Sequence, residues 1–477
     1  MRPPKPLLPG LLGPSGAGIC KAIRAAREYL CARGTAELLA RVGRTIAEVP
    51  RARHLEKHFI QASYRGELSR PPDDLLTGQG LFYLTEQRRL FLDCTAGHYQ
   101  MTWGYNHPWL GAVVREALDA GIVWDDHSNI PGSTVKRLSI RLVEAANGCK
   151  PLGSSTSAGA RRLIDDEAAI NTVLLGVCTG SVAASSALKI VLRRHQAARP
   201  GVRPVLVALA GNYHGTDVLA QRLRGMWKQF VRGITFIEVE PNDVRALERA
   251  FRTHRGRVAA MFVEPILMNR EAILLEEDYL RRARTLCDEA DARLVIDEIQ
   301  TGFWYPGFFL YRQYGIVPDV LIVGKGMAAG LHPLSAIVYR RRDDCLAQYD
   351  AISTNGNAPL AAAVGLGCMA LVESEAGRID ALGRHYHQRL GELPATCPGL
   401  VRAIRGKGLL AGVKFHEVGA ALEFHRRAIR RGLWVRVHAY HEGHSTILTK
   451  LALAADRGIV DFIVDAFLEI LKEMDHG

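Results

Sequence analysis

The 477-residue sequence lacks any apolar run close to the roughly 20 residues that a membrane-spanning helix requires. Proline and glycine interrupt the leucines of its first 18 residues, and no A-x-A site follows, so we expect no signal peptide. Its nine cysteines are scattered, odd in number and without a C-x-x-C pair, which disfavours a disulfide framework. These absences predict a soluble, cytoplasmic chain with reduced thiols and no membrane partner.

Several common catalytic motifs are also missing. In GPSGAGICK (13–21) the glycines have P-loop spacing, but Ile19 and Cys20 separate the second glycine from Lys21, and no strand precedes them. No G-x-G-x-x-G follows a strand, and neither a G-x-S-x-G elbow nor an H-E-x-x-H helix occurs. We therefore reject a Walker site, find no support for a dinucleotide dehydrogenase, and expect no metal.

The charge is unevenly distributed. The net charge is +12, and residues 1–60 contain eleven Lys and Arg against four Glu. A basic surface can bind nucleic acid or an acidic partner, but no zinc finger or RNP motif is present, and solvated basic helices give the same composition. We expect no nucleic acid. The basic segment either docks an acidic leader peptide or stabilises a dimer.

What the sequence does contain is a regular alternation of apolar runs with segments of helical periodicity. The runs with strand character are 171–177, 203–210, 234–240, 258–265, 292–299 and 320–324. Such alternation indicates an α/β fold with a mostly parallel sheet and helices on both faces.

We divide the chain into four parts. Residues 1–50 form a basic helical extension, with two amphipathic helices in 20–48, and residues 51–100 begin a small domain with a strand pair at 81–97. Residues 101–368 form the large domain, and residues 369–477 form a smaller α+β domain at the C-terminus.

Polar residues follow the strands at the edge where parallel sheets bind ligands. Thr179, Gly180 and Ser181 open a helix after the first strand, and its free N–H groups suit a phosphate; N-capping by Ser181 is the alternative. Tyr213, beside His214, lies in a glycine-flanked turn after the next strand, where its ring can stack on a flat ligand or simply complete the turn.

Two charged residues end later strands. Asp297 closes the run 292–299, and a buried carboxylate there needs a cationic partner or several donors; a protonated ring nitrogen would serve, as would a helix cap. Lys325 follows the run 320–324, where burial would lower its pKa and make the amine nucleophilic, unless the side chain extends to solvent.

Together these features provide a phosphate-binding helix start, an aromatic ring that can stack on a flat ligand, a carboxylate that can pair with a ring nitrogen, and a reactive amine. Pyridoxal 5′-phosphate (PLP) has a phosphate, a flat pyridine and an aldehyde that forms a Schiff base with lysine. The combination therefore predicts a PLP site.

The motifs VEPI (263–266), LVIDEIQTGF (294–303) and YGIVPDVLIVGKGMAAGLHPLSAIV (314–338) resemble, in order and spacing, the signature of the class III (omega-type) PLP-dependent aminotransferases. The resemblance runs from about residue 75 to the C-terminus. It implies the PLP-dependent transferase fold of type I, with residues 101–368 as the PLP-binding domain.

The resemblance also implies roles for individual residues. Lys325 would carry the internal aldimine and shuttle the proton, and Asp297 would pair with the pyridine nitrogen. Thr354 would reach the phosphate from the neighbouring subunit, which implies a homodimer with shared sites. The other expected cofactor contacts are Thr179, Gly180, Ser181, Tyr213, His214, Glu264 and Gln300.

The sequence departs from the family pattern at three places. Val182 replaces the acid of the phosphate loop, and GFWYPG (302–307) replaces G-F-G-R-T-G. Asn269 stands where some members have a glutamate paired with a C-terminal arginine that switches between substrates; Arg436 and Lys450 are the candidates for that cation. The bulky residues Trp103, Trp304, Tyr305 and His332 either line an aromatic pocket or pack.

The predicted function is therefore a class III transaminase that moves an amino group between an amine or amino acid and a carbonyl acceptor, in a specialised biosynthetic pathway with a peptide or unusual carbonyl substrate as one option. A PLP-dependent aminomutase or racemase, and an inactive scaffolding protein of the same fold, are the alternatives. The sequence does not identify the donor or the acceptor.

Overall fold

The computed structural model describes residues 8–475 except 53–54, 56, 58, 62–72, 127–129, 150–161, 355, 357 and 438–442. The strands are β1 Leu75–Gln79, β2 Phe82–Thr85, β3 Leu90–Asp93, β4 Thr172–Leu174, β5 Val205–Leu209, β6 Thr235–Val239, β7 Val258–Val263, β8 Ile266–Leu267, β9 Ile273–Leu274, β10 Arg293–Asp297, β11 Val320–Val323, β12 Ala336–Tyr339, β13 Val401–Lys407, β14 Leu410–Phe415, β15 Leu433–Trp434, β16 Arg436–Val437 and β17 Thr446–Lys450. The α-helices are α1 Leu8–Leu11, α2 Gly16–Cys31, α3 Thr35–Leu39, α4 Ala96–Tyr99, α5 Pro108–Asp119, α6 Ser133–Ala146, α7 Gly180–Ala198, α8 Val218–Arg222, α9 Val244–Thr253, α10 Glu277–Glu289, α11 Pro359–Ser374, α12 Ala376–Leu390, α13 Glu392–Thr396, α14 Val418–Arg430 and α15 Arg457–Asp475. Short 3-10 turns occur at Leu310–Tyr314, Lys325–Ala328 and Arg341–Asp343.

A seven-stranded sheet forms the centre of the described chain, in the order β4-β12-β11-β10-β7-β5-β6. Neighbouring strands from β11 to β6 run parallel, whereas β12 is antiparallel to both β11 and β4. The α/β architecture with a mostly parallel sheet, which the alternating runs predict, is confirmed, and each of the six predicted strands is present.

Both faces of this sheet are buried, which explains why its strands are almost continuously apolar. In β5, Val205, Val207 and Leu209 point into one hydrophobic cluster. The alternate residues Leu206 and Ala208 point into the other, where the small side chains of α7 cover them. The period of two along the strand thus supplies both layers of the core.

Two smaller sheets surround the central one. In the first, ordered β1-β2-β3-β15, the pair β2–β3 confirms the predicted strand pair, and β15 adds a strand from the C-terminal part in parallel with β3. The second is ordered β13-β14-β17-β16. The first of these sheets thus joins strands from residues 51–100 with a strand from residues 369–477.

The second amphipathic helix predicted near the N-terminus is shorter than expected, because α3 ends at Leu39. Gly43 has a φ of +82°, and its N–H donates to the carbonyl of Leu90 at 2.8 Å. The N–H of Ile46 donates to the carbonyl of Arg88 at 2.9 Å. The chain therefore leaves the helix to pair with the start of β3, a tertiary interaction that helical periodicity does not record.

No single helix in the described part of the chain is long and apolar enough to cross a membrane; α11 with the following segment Ala376–Thr396 passes such a test only as a pair bent by 71°.

Candidate active site

The sheet order brings the predicted site residues to one edge. Strands β10 and β11 are parallel neighbours, so Asp297, the last residue of β10, and Lys325, just beyond β11, emerge at the same end. Glu264 follows β7, and Tyr213 and His214 follow β5, the next strands in the sheet. The carboxyl ends of parallel strands thus assemble residues that are more than 100 positions apart in sequence.

These residues surround a cavity of about 340 Å³. It is lined by Gln100, Thr179, Gly180, Ser181, Tyr213, His214, Gly215, Ile299, Gln300, Lys325, Gly330, His332, Pro333, Leu334 and Ser335. Asp297 and Glu264 are buried beneath the lining, with 3% and 1% of their surfaces exposed. Thr354 does not line the cavity and is exposed.

Asp297 is held by a short hydrogen-bond network. Its Oδ2 lies 2.7 Å from Nδ1 of His214, and its Oδ1 accepts from the N–H of Ile299 at 2.9 Å. Burial disfavours a charged His214, but the hydrogen bond and the charge of Asp297 outweigh it and raise the pKa of the imidazole. His214 therefore orients the carboxylate and supports its charge.

Three buried polar atoms at the cavity have no hydrogen-bond partner among the described residues: Oε2 of Glu264, Nε2 of His214 and Oε1 of Gln300. The other oxygen of Glu264 accepts from the N–H of Tyr213 at 2.7 Å. Burial raises the pKa of Glu264 to about 7. Unpartnered buried polar groups are costly, so this cluster is suited to a polar ligand that brings its own donors and acceptors.

Lys325 occupies a tight turn at the end of β11. Its φ is +38°, and the next residue, Gly326, has no room for a side chain, since a Cβ there would lie 2.3 Å from the ring of Trp304. Burial lowers the pKa of the Lys325 amine to about 8. The amine opens onto the cavity, so it is both reachable and easily deprotonated.

The start of α7 forms another part of the cavity lining. The hydroxyl of Ser181 accepts from the N–H of Thr216 at 3.0 Å. A Cβ at Gly215 would lie 2.5 Å from that hydroxyl oxygen, and a Cβ at Gly180 would lie 2.9 Å from Ile299. Glycine at both positions therefore lets the backbone approach closely, and the first N–H groups of α7 remain available to an anion.

The bulky residues of the unusual loop pack instead of lining the cavity. Trp304 is 1% exposed and donates from Nε1 to the carbonyl of Leu451 at 3.0 Å; the hydroxyl of Tyr305 donates to the carbonyl of Lys407 at 2.9 Å. Trp103 is also buried. Of the predicted aromatic pocket, only His332 lines the cavity.

Lys450 contributes a feature that the sequence did not predict. Its Nζ is fully buried, donates to the carbonyls of Tyr99 at 2.9 Å and Gln300 at 2.6 Å, and lies 3.5 Å from the ring centroid of Trp304. The side chain of Gln300 in turn donates to Asn269 at 3.1 Å. Lys450 thus joins β17 to the loop after β10. The sequence did not predict this contact because its partners are 150 residues apart in the chain.

Comparison with known proteins identifies the family. The protein-family model described as Aminotransferase class-III matches residues 73–470 of this chain. The chain belongs to the class III aminotransferases. Its enzymatic class, predicted from the motifs, is thereby confirmed.

Individual relatives of this class III aminotransferase are themselves named as aminotransferases. An ornithine aminotransferase of Bordetella pertussis is 30% identical over 380 residues, which cover 76% of this chain and 83% of that protein. An acetylornithine aminotransferase of Agrobacterium fabrum is 28% identical over 365 residues, covering 72% and 82%. The solved ornithine aminotransferase of Toxoplasma gondii ME49 superposes with a TM-score of 0.70 at 25% identity, covering 85% of this chain and 92% of that one.

Class III aminotransferases depend on PLP, which confirms the predicted cofactor. The cavity of this aminotransferase fits such a group: the orphaned atoms of Glu264, His214 and Gln300 can receive a polar ring. The start of α7, where Gly180 and Gly215 allow close approach, can bind a phosphate, and the amine of Lys325 can react with an aldehyde.

Proposed function

We propose that this class III aminotransferase moves an amino group from a small amino acid, such as ornithine, to a carbonyl acceptor, with Lys325 as the residue that holds the cofactor and moves the proton. Bound PLP supplies an aldehyde that captures amines and a ring that accepts electrons. The observation that carries the proposal is the meeting of Lys325, Asp297 and His214 at one sheet edge, around a cavity with unsatisfied polar atoms.

Each residue has a distinct task in this proposal. The carboxylate of Asp297, which contacts His214, would support a protonated ring nitrogen, and the side chain of Gln300 would bind the ring hydroxyl. Tyr213 would stack on the ring, and Glu264 holds the backbone of Tyr213 in place. The amine of Lys325 would hold the cofactor and, when free, would take a proton from the substrate carbon and donate it again, as general base and then general acid.

Thr179, Gly180 and Ser181 hold the phosphate in this proposal. Backbone N–H groups at a helix start provide most of the binding, which explains why Val182 can replace the acid expected in the loop without removing the cradle. The hydroxyl of Ser181, already fixed by Thr216, adds one further donor.

We also propose a homodimer in which Thr354 serves the neighbouring site. Thr354 is exposed, and β4 is an edge strand beside an apolar groove that includes Pro131, Ile140 and Ile352. Nearby Trp124 and Ile130 are 72% and 69% exposed. Exposed apolar groups and a strand at the end of the sheet in the described part of the chain favour an interface.

Other features stay proposals of the same kind. The small-domain division rests on the sequence pattern and on the shared sheet β1-β2-β3-β15. The docking or dimer-stabilising role of residues 1–50 rests on their basic composition. The cytoplasmic location rests on cysteine usage, and all nine cysteines are free thiols.

A half-reaction tests the function. The purified holoenzyme is mixed with L-ornithine and no acceptor, and both the cofactor's visible absorption and the extracted cofactor are followed. An aminotransferase should convert its cofactor stoichiometrically to the amine form, pyridoxamine 5′-phosphate. A cofactor that stays in the aldehyde form while the amine isomerises or racemises would instead support the aminomutase or racemase alternative.

A further inference from the structure

A second cavity, of about 210 Å³, shares no lining residue with the candidate active site. Its walls come mainly from the loop 302–307, from α12 and from the turn between β13 and β14. Trp304, Tyr305 and Pro306 all line it, and these are the three positions at which the loop departs from the family pattern G-F-G-R-T-G. The cavity is therefore built in part from residues that the family pattern does not supply.

Glycines let the walls of this second cavity approach each other closely. Gly408 has a φ of +63°, and a Cβ there would lie 2.9 Å from the ring of Tyr305. A Cβ at Gly383, in α12, would lie 2.9 Å from the Cα of Gly408. The hydroxyl of Tyr305 also donates to the carbonyl of Lys407 at 2.9 Å. The β13–β14 turn is thus fixed against both the loop and α12, which gives the cavity a preformed shape.

His387 presents an unsatisfied polar atom at this cavity. Its side chain belongs to the lining, and its Nε2 is buried without a hydrogen-bond partner among the described residues. Burial lowers the pKa of His387, and a hydrogen bond to the backbone of Leu410 opposes that change. The neutral ring uses its single N–H for the bond to Leu410, so Nε2 is left as an acceptor. A ligand with an N–H or O–H donor would satisfy this atom.

Lys407 supplies a positive charge that no described carboxylate neutralises. Its ammonium lies 5.9 Å from the ring centroid of Tyr314, and it forms no ion pair or hydrogen bond within the described part of the chain. Arg384, which also lines the cavity, pairs with Asp380 one turn earlier in α12. The lining therefore contains two cations against one carboxylate, and this excess of positive charge favours an anionic ligand.

Trp304 connects the second cavity to the turn that holds Lys325. Its Nε1 donates to the carbonyl of Leu451 at 3.0 Å, and Nζ of Lys450 lies 3.5 Å from its ring centroid. A Cβ at Gly326, the residue after Lys325, would lie 2.3 Å from the same ring. Trp304 is thus shared by the second cavity and by the packing behind Lys325, and a ligand in the cavity would hold it in this position.

We propose that the second cavity binds a small acidic amino acid, with a carboxylate paired to Lys407 and the ammonium donating to Nε2 of His387. The acceptor atom selects a ligand that carries a donor, and the excess positive charge of the lining selects a ligand with an excess of negative charge. An acidic amino acid meets both conditions. The inference goes beyond the proposed function, because it assigns a ligand to a cavity that takes no part in the transfer of the amino group.

Calorimetry on the borohydride-reduced holoenzyme tests this site, because the reduced cofactor cannot react with an amine. L-glutamate should bind saturably, and glutarate, which lacks the ammonium, should bind more weakly. Lys407→Gln should weaken glutamate binding roughly 10- to 100-fold through the loss of a charge-assisted hydrogen bond. Lys472→Gln, at an exposed lysine of α15 that does not line the cavity, should match the wild type. Equal affinity for glutamate in the wild type and Lys407→Gln would overturn the proposal.

The role of His387 and the place of binding have tests of their own. His387→Phe keeps a ring but removes the acceptor, so it should abolish the preference for glutamate over glutarate and leave the affinity for glutarate unchanged. A crystal structure of the reduced holoenzyme with L-glutamate should show the ligand between Lys407 and His387. Glutamate bound only in the cofactor cavity would contradict the assignment.

The second site and the proposed reaction can fail separately. Lys407→Gln should still convert its cofactor with L-ornithine, because Lys407 does not line the active-site cavity. If the wild type binds glutamate through Lys407 but ornithine does not convert its cofactor, the proposed donor fails and the second site stands. Conversion by ornithine without any binding of glutamate at the second cavity would refute this inference alone.

Discussion

The chemistry of the site depends first on Lys325, because an amine at its ordinary pKa would be protonated and unreactive at neutral pH. Burial at the end of β11 lowers the pKa of Lys325 from 10.5 to about 8. Asp297 and Glu264 act in the opposite direction, since a nearby negative charge favours the ammonium. Desolvation is thus the larger effect, and it leaves a useful fraction of neutral amine near physiological pH.

The lowered pKa predicts the pH dependence of cofactor capture. Since the neutral amine is the nucleophile, the rate at which apoenzyme reacts with added PLP should rise with pH and reach its midpoint near 8. Stopped-flow absorbance across the pH range measures this rate, with the reaction of PLP with a free lysine derivative as a control. A midpoint near 10.5, the ordinary value of lysine, would show that burial does not act as described.

A second prediction concerns the charge of Asp297. Asp297→Asn preserves the shape of the side chain but removes the charge that would stabilise a protonated ring nitrogen, so kcat should fall roughly 100- to 1,000-fold, comparable to losing one preorganised electrostatic group. Steady-state kinetics measure the loss. Asp288→Asn, an exposed control paired with Arg284, should retain its rate, and a near-normal rate in Asp297→Asn would remove Asp297 from the mechanism.

The elements around the site are joined by Glu271, which lies between β8 and β9. Its carboxylate accepts from Lys414 of β14, from Arg405 of β13 at 3.1 Å, and from the N–H of Ser445 and hydroxyl of Thr446 at 3.0 Å each. Burial opposes the charge, but these donors prevail and lower the pKa of Glu271 to about 2. The carboxylate therefore connects the β8–β9 hairpin to the C-terminal sheet.

Glu271→Gln should destabilise the protein by roughly 2 kcal/mol, because it breaks a charge-assisted network that is shielded from water. The folded pKa lies below the ordinary 4.5, so the stabilisation is present above pH 4.5 and is lost as the pH falls toward 2. Urea unfolding at pH 7 and at pH 3 should therefore give a smaller difference at pH 3. Glu277→Gln, which breaks an exposed pair with Arg281, should cost under about 0.5 kcal/mol; an equal cost for both variants would contradict the account.

The sequence predicted those strands that are marked by their own residues, without information about their neighbours in the sheet. The strands β5, β7, β10 and β11 are fully buried apolar runs with turn residues at their ends, and the residues at those ends assembled the cavity. The antiparallel strand β12 was not predicted, because its position beside β11 is set by pairing rather than by composition. Likewise, the contacts of Lys450 and the pairing of Arg436 with His98 join segments 150 or more residues apart, for which one sequence offers no signal.

At the scale of the whole molecule, the proposed shared site would make the activity of each subunit depend on dimer formation. Thr354 lies outside the cavity of its own chain, and the exposed groups Trp124, Ile130 and Tyr349 are 72%, 69% and 80% accessible. A partner subunit that covered them would bury apolar surface and could bring its Thr354 to the phosphate. Assembly would then affect cofactor affinity as well as stability.

Mixed dimers test this arrangement. Lys325→Ala should be inactive, and Thr354→Ala should bind PLP roughly tenfold more weakly through the loss of a hydrogen bond to a charged group. When the two variants are co-expressed with different tags, each heterodimer should contain one site with both Lys325 and Thr354, and activity at limiting PLP should exceed that of either homodimer. Heterodimers no better than the Thr354→Ala homodimer at equal site concentration would contradict a site shared between subunits.

The most direct measurement of the central claim is chemical. The holoenzyme is treated with borohydride, which makes the link between PLP and an amine permanent, and the digested protein is sequenced by mass spectrometry. The account predicts a single modified peptide with the cofactor's mass on Lys325. A protein that carries no label, or one labelled at Lys450 or another lysine, would contradict it.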